Sequence, residues 1–141
     1  MKIMYSVSRS DGMCFACSPK NPIGLHLEFS LEGDVCRATF TAGEEHQGWD
    51  GLLHGGLIAT LLDEAMAQWL WRRGVAAMTA EMLTRFSRPV PVGVPVTVEA
   101  WKVGGKGRLW ELSARIILPG GRVAARATAK FLTIKEGSLQ T

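Results

Sequence analysis

One segment of this chain reads as helix, and almost everything else reads as strand or turn. From Gly55 to Trp71 the apolar residues Leu57, Ile58, Leu61, Leu62, Ala65, Met66 and Trp69 recur at the spacing of one helix face. Arg72-Arg73-Gly74 then sets cations against the negative end of the helix dipole and a glycine at the stop. A lone amphipathic helix cannot bury its stripe against itself, so the strands must supply the opposing surface. The chain has 141 residues. A domain of that size buries on the order of 70% of its extended surface, enough for a core without metal or disulfide staples.

The strands are legible from alternation and punctuation. Leu25–Phe29 and Val35–Phe40 read as a hairpin through Glu32-Gly33-Asp34. Met78–Ser87 is a third run, followed by a proline-rich connection, Pro89 to Pro95, in which helix is excluded. Val96–Lys102 and Arg108–Leu118 flank Gly104-Gly105-Lys106-Gly107, and Pro119-Gly120-Gly121 turns the chain into Arg122–Ile134. Residues 1–22 are rich in Ser, Gly, Pro and Cys and read as an N-terminal loop segment. The order β-β-α-β-β-β-β predicts an α+β fold: a curved antiparallel sheet of about six strands wrapped around one long helix. No linker divides the chain, so 1–141 is read as a single domain. One helix covers only part of such a sheet, which predicts that the remainder pairs with another subunit.

Composition excludes several classes. Apolar residues make up 47% and charged residues 21%, which is unlike a disordered or fibrous chain. The longest uncharged run, Gly51 to Leu62, is too short to span a bilayer, and the opening residues lack the apolar core of a signal peptide. Three cysteines, an odd number, argue against a disulfide framework. These features predict a soluble cytoplasmic protein without a membrane partner. The net charge of +3 conceals an asymmetry. Residues 1–71 hold four Lys and Arg against nine Asp and Glu, a balance of −5, whereas 72–141 hold twelve against four, a balance of +8. A basic half suits an anionic partner. No helix-turn-helix or RNA-binding signature accompanies it, so nucleic acid is not the expected one. Cys14-x-x-Cys17 invites a zinc or redox reading. With His26 and Cys36 it makes a three-Cys-one-His set, but the spacings fit no common module, so a structural loop and no metal are expected.

The segment Gly48-Trp49-Asp50-Gly51-Leu52-Leu53-His54-Gly55-Gly56 runs into the helix and on to Asp63. Gly55 and Gly56 open the helix with backbone N–H groups that no side chain shields, a setting that favours a negative or developing-negative oxygen. Asp63 lies two turns in, on a row with Ala59 and Ala67, about 60° outside the apolar stripe. Small neighbours leave space over its carboxylate. Glu64 shares a row with Thr60 and Gln68 and is expected on a solvated face.

At these residues the chain resembles the hotdog-fold thioesterases of the phenylacetate-degradation (PaaI-like) group. The resemblance rests on His54-Gly55-Gly56 with an acid nine positions after the histidine, in HGGLIATLLDEA. It extends to Thr84-Arg85-Phe86-Ser87-Arg88-Pro89-Val90, to Gly105-Lys106-Gly107-Arg108, and to the opening Cys14-Phe-Ala-Cys17-Ser-Pro-Lys-Asn-Pro-Ile-Gly-Leu. It implies that Asp63 is the catalytic acid, attacking a thioester carbonyl or activating water to do so. It implies that the Gly56 N–H polarises that carbonyl, with Gly55 and His54 beside it, and that Thr79 brings a hydroxyl from a partner subunit near the attacking water. Where relatives have Asn or Gln six residues before the histidine, this chain has Gly48; Gln47 or His46 is the expected substitute. Homo-oligomerisation is implied too, as a dimer or a tetramer of two dimers.

The chemistry is coherent on its own terms. A thioester carbonyl is electrophilic and its thiolate leaves readily, so one carboxylate and aligned N–H donors suffice without metal or cofactor. The expected reaction is hydrolysis of an acyl-CoA to a free acid and CoA, with Arg88, Lys106 and Arg108 holding the coenzyme's phosphates. The alternatives are a non-catalytic acyl-CoA-binding protein and another hotdog activity such as a dehydratase.

Overall fold

A computed structural model describes residues 2–5, 12–134 and 137–140, with side chains over 12–134. The elements are β1 (Lys2–Tyr5), β2 (Ser30–Glu32), β3 (Val35–Thr41), a 3-10 turn at Glu44–His46, α1 (Gly55–Trp71), β4 (Ala77–Phe86), β5 (Pro95–Lys106), β6 (Leu109–Ile117), β7 (Val123–Thr133) and β8 (Gly137–Gln140). Six strands form one antiparallel sheet in the order β2-β3-β5-β6-β7-β4, and α1 packs across one face of it. The helix has the bounds its periodicity predicts.

Two expectations are corrected. The span read as N-terminal loop includes β1, which pairs antiparallel with β8 in a separate two-stranded sheet. Leu25–Phe29 is not a strand. Leu25, Leu27 and Phe29 do alternate into the core. However, the N–H groups of Leu25 and Leu27 bond to the carbonyls of Phe15 (2.8 Å) and Ala16 (2.9 Å), so the segment follows the N-terminal loop rather than β3. The hairpin through Gly33 survives as the short β2–β3 pair, with Gly33 at φ 61 in the left-handed region that its turn requires.

Leu61, Leu62, Ala65 and Met66 are fully buried on α1. They meet the inward residues of β5, β6 and β7, where a run of alanines, Ala125, Ala127 and Ala129, lets helix and sheet approach closely. The Glu64/Gln68 row is also corrected. Glu64 is 7% and Gln68 6% exposed, and Gln68 Nε2 donates to Glu64 Oε1 at 3.0 Å. The face expected in solvent is covered by the segment carrying Cys14 and Cys17. Cys36 is buried inside the sheet, and burial pushes its thiol up to about 11.

The sheet's other face carries charge across its width. Arg37 pairs with Glu99, Glu99 with Arg115, Arg115 with Arg126, and Arg126 with Arg85, from β3 to β4. Strand β4 is an edge of the sheet. Met78, Leu83 and Phe86 are exposed along it.

Candidate active site

The helix start is shaped by the turn before it. His54 is the N-cap in extended conformation; its Nδ1 accepts the Gly56 N–H at 2.8 Å, and its carbonyl accepts those of Leu57 (3.0 Å) and Ile58 (3.1 Å). A Cβ on Gly56 would lie 3.1 Å from that imidazole nitrogen, so a side chain there would have to displace the ring by a few tenths of an ångström. His54, Gly55 and Gly56 are all exposed. Gly48 packs under the same histidine: a Cβ there would sit 3.2 Å from His54 Cα. Position 48, where the resemblance implied Asn or Gln, is therefore too tight here for a side chain without movement of the cap.

Gln47 and His46, the expected substitutes, both make local hydrogen bonds in the loop before the helix. The Gln47 carboxamide accepts the Gly51 N–H and donates to the Glu44 carbonyl (3.0 Å), closing the loop. His46 Nδ1 accepts the Gly43 N–H at 2.9 Å, and its ring lies against Phe40.

Asp63 is half-buried between the half-buried Ala59 and Ala67, as its helix row predicts. Thr79 Oγ1 donates to Asp63 Oδ1 at 2.5 Å. This contact lies within one chain, whereas the resemblance implied a hydroxyl from a neighbouring subunit. A bulge in β4 sets the geometry. Thr79 pairs with Phe131 and Glu81 with Lys130, so Ala80 is an extra residue. Thr79 and Met82 consequently both face the helix, although regular alternation would put them on opposite faces.

The expected phosphate-binding cations are split. Arg88 Nη1 donates to the Val123 carbonyl (3.3 Å) and Arg108 Nη2 to the Thr133 carbonyl (2.9 Å), at opposite ends of β7. Eleven strand residues separate those ends by roughly 30 Å. Arg88 lies at the helix-start end of the sheet and the Lys106–Arg108 hairpin at the other. Phe86, which sequence reasoning passed over, brings its ring within 3.7 Å of a Cβ built on Gly55 and so walls the helix start with an apolar face. Its aromatic character next to Ser87-Arg88 was the available signal.

A single helix in the embrace of an antiparallel sheet, opened by His-Gly-Gly and carrying a half-buried aspartate, defines a class, and comparison with known proteins gives the same one. Residues 50–125 match the thioesterase superfamily. The chain belongs to that family, and its fold is the hotdog fold. Bovine (Bos taurus) acyl-coenzyme A thioesterase THEM4 is 38% identical over 117 residues, 82% of this chain and 48% of the relative. The chain thus spans about half the length of that curated relative. A solved thioesterase superfamily protein superposes with a TM-score of 0.78 at 29% identity, covering 83% of this chain and 61% of the other. The PaaI protein of the E. coli phenylacetic acid degradation operon superposes at 0.73 with 21% identity, covering 79% and 82%. A Streptococcus mutans protein solved bound to acetyl CoA superposes at 0.72 with 17% identity, covering 78% and 90%.

Proposed function

We propose that this protein is an acyl-CoA thioesterase that hydrolyses its substrate to a free acid and CoA. The observation that carries the reading is Asp63: a half-buried carboxylate in a gap between alanines, steadied by the Thr79 hydroxyl. Membership of the thioesterase superfamily and the likeness to THEM4 support the reaction class. In the mechanism proposed, the carbonyl oxygen takes the Gly56 N–H at the positive end of α1, and Asp63 directs water, or its own oxygen, at the carbonyl carbon. Arg88, Lys106 and Arg108 hold the nucleotide, and no metal or cofactor takes part in the hydrolysis.

The geometry supports a site shared between subunits. Gly56 and Asp63 are seven residues apart on one helix, a rise of about 10 Å, so a carbonyl held at Gly56 is out of direct reach of the same chain's Asp63. In the dimer proposed, two β4 edges pair antiparallel, which would set one protomer's helix start beside the middle of its partner's helix and the partner's hairpin toward the end that carries Arg88. The unit proposed is a dimer, with a dimer of dimers as the larger assembly. The compartment proposed is the cytoplasm, whose reducing conditions suit the thiol of Cys36 buried in the sheet. No helix among the described residues is long and apolar enough to cross a membrane.

The test is Asp63→Asn with thiol release measured over a panel of acyl-CoAs. Asn preserves the shape and the bond from Thr79, so the fold is expected to stand while turnover falls about 10²–10⁴-fold. Wild-type turnover in the folded variant would overturn the assignment, and a fully active monomer in sedimentation would overturn the shared site.

A further inference from the structure

The CxxC pair, expected to be a plain loop, is set against a buried carboxylate. Cys14-Phe15-Ala16-Cys17 forms one helical turn, closed by the Ser18 N–H on the Cys14 carbonyl at 3.0 Å. That turn points both sulfurs the same way, onto α1. There Cys14 Sγ, Cys17 Sγ and a Glu64 carboxylate oxygen all lie within 4.8 Å of one another. The remaining candidates in the earlier set do not join them. His26 Nε2 is engaged with the Asn21 carbonyl at 2.6 Å.

We propose that Cys14, Cys17 and Glu64 form a binding site for a zinc-class divalent cation, which staples the N-terminal segment to the turn of α1 next to Asp63. Three features support it. The donors span a distance that a tetrahedral ion can bridge, with two thiolates and one carboxylate as ligands and a fourth position open to water. Thiolates select a soft or borderline metal, and a carboxylate disfavours copper(I), so zinc fits the mixed set best. The surroundings are those of a built site. Buried Gln68 orients the carboxylate through its 3.0 Å bond to Oε1, as outer-shell partners orient metal ligands, and the Cys17 N–H donates to Cys14 Sγ at 3.3 Å, which fixes the direction of that sulfur. A cleft of about 890 Å³, lined by Cys17, Phe29, Gln68, Trp71 and Arg72 among others, gives an entry path, and Arg72 offsets the negative charge left when three anionic donors meet one dication.

The site is independent of the thioesterase reading, and its test does not use activity. The full chain is purified under reducing conditions, stripped with chelator and titrated with Zn²⁺, then with Co²⁺ as the spectroscopic probe. The expected result is one equivalent of tightly held zinc. The cobalt form should show a thiolate-to-metal charge-transfer band and the visible bands of a tetrahedral ion. Cys14→Ser with Cys17→Ser should abolish the charge-transfer band, and Gln68→Ala should weaken zinc binding about 10–100-fold while leaving the thiolate band in place. The wild-type titration keeps the test valid if a variant fails to fold. Less than half an equivalent of zinc, a cobalt spectrum without thiolate character, or a Cys14–Cys17 disulfide in the reduced preparation would overturn the proposal.

Discussion

Glu99 is the most exacting test of how the sheet is held, because its side chain is 5% exposed yet lies on the face away from the helix. Arg37 reaches its Oε2 through Nε (3.0 Å) and Nη2 (2.7 Å), and Arg115 reaches Oε1 through Nε (2.6 Å). Burial pushes the carboxyl up. The hydrogen bonds and charges of the two guanidiniums outweigh burial and hold it below its ordinary 4.5. Glu99→Gln keeps the shape but turns an amide N–H₂ toward a guanidinium. Losing one partner of a fully buried pair costs about 3–5 kcal/mol. Arg37 and Arg115 retain 36% and 39% exposure and can rehydrate, so a cost of about 2–3 kcal/mol is expected, a fall in Tm of roughly 5–10 °C. The sign with pH follows from the lowered value. The contribution is complete above the unfolded carboxyl's pKa and is lost as pH falls through the folded one. Thermal unfolding by circular dichroism should therefore show a gap between wild type and variant at neutral pH that closes in acid. A gap below about 0.5 kcal/mol at neutral pH, or one unchanged down to about pH 3, would refute the reasoning.

Two further outcomes are expected. Thr79→Val, which removes the hydroxyl beside Asp63, should lower kcat about 10–100-fold, whereas Thr79→Ser should retain most activity; equal loss in both would mean that packing rather than the hydrogen bond matters. Lys106→Ala with Arg108→Ala should raise KM for acyl-CoA more than it lowers kcat, and the loss should largely vanish with an acyl-pantetheine, which lacks the nucleotide; equal loss on both substrates would displace the coenzyme from that hairpin.

The helix was fully legible because its signal is local: a seven-residue apolar stripe, two arginines and a glycine stop. Asp63 was legible for the same reason, since its row is fixed by helix geometry. Thr79 was harder. Strict alternation back from Met82 puts Ala80 inward and Thr79 outward, and only the bulge at Ala80 restores it. Nothing in the residues Thr79-Ala80-Glu81 announces that bulge. Glu64 misled because polarity along its row reads as solvent exposure, whereas the covering segment comes from nearly fifty residues upstream. The same distance hid its meeting with Cys14 and Cys17. The cations Arg88 and Arg108 looked like one basic half in sequence and stand at the two ends of one strand in space.

The bond from the Gly56 N–H to His54 Nδ1 has an energetic consequence for the reaction proposed. The donor meant for the carbonyl already has an acceptor, so substrate must exchange one hydrogen bond for another. A neutral thioester oxygen is no better an acceptor than a neutral imidazole nitrogen, and in the bound ground state the exchange gains little. As the tetrahedral intermediate forms, the oxygen becomes an anion, and charge-assisted bonds are roughly twice as strong as neutral ones. The imidazole therefore works as a reference competitor. It cancels the part of the interaction that would merely tighten substrate binding, and leaves the part that grows with the developing charge, which alone accelerates the chemical step.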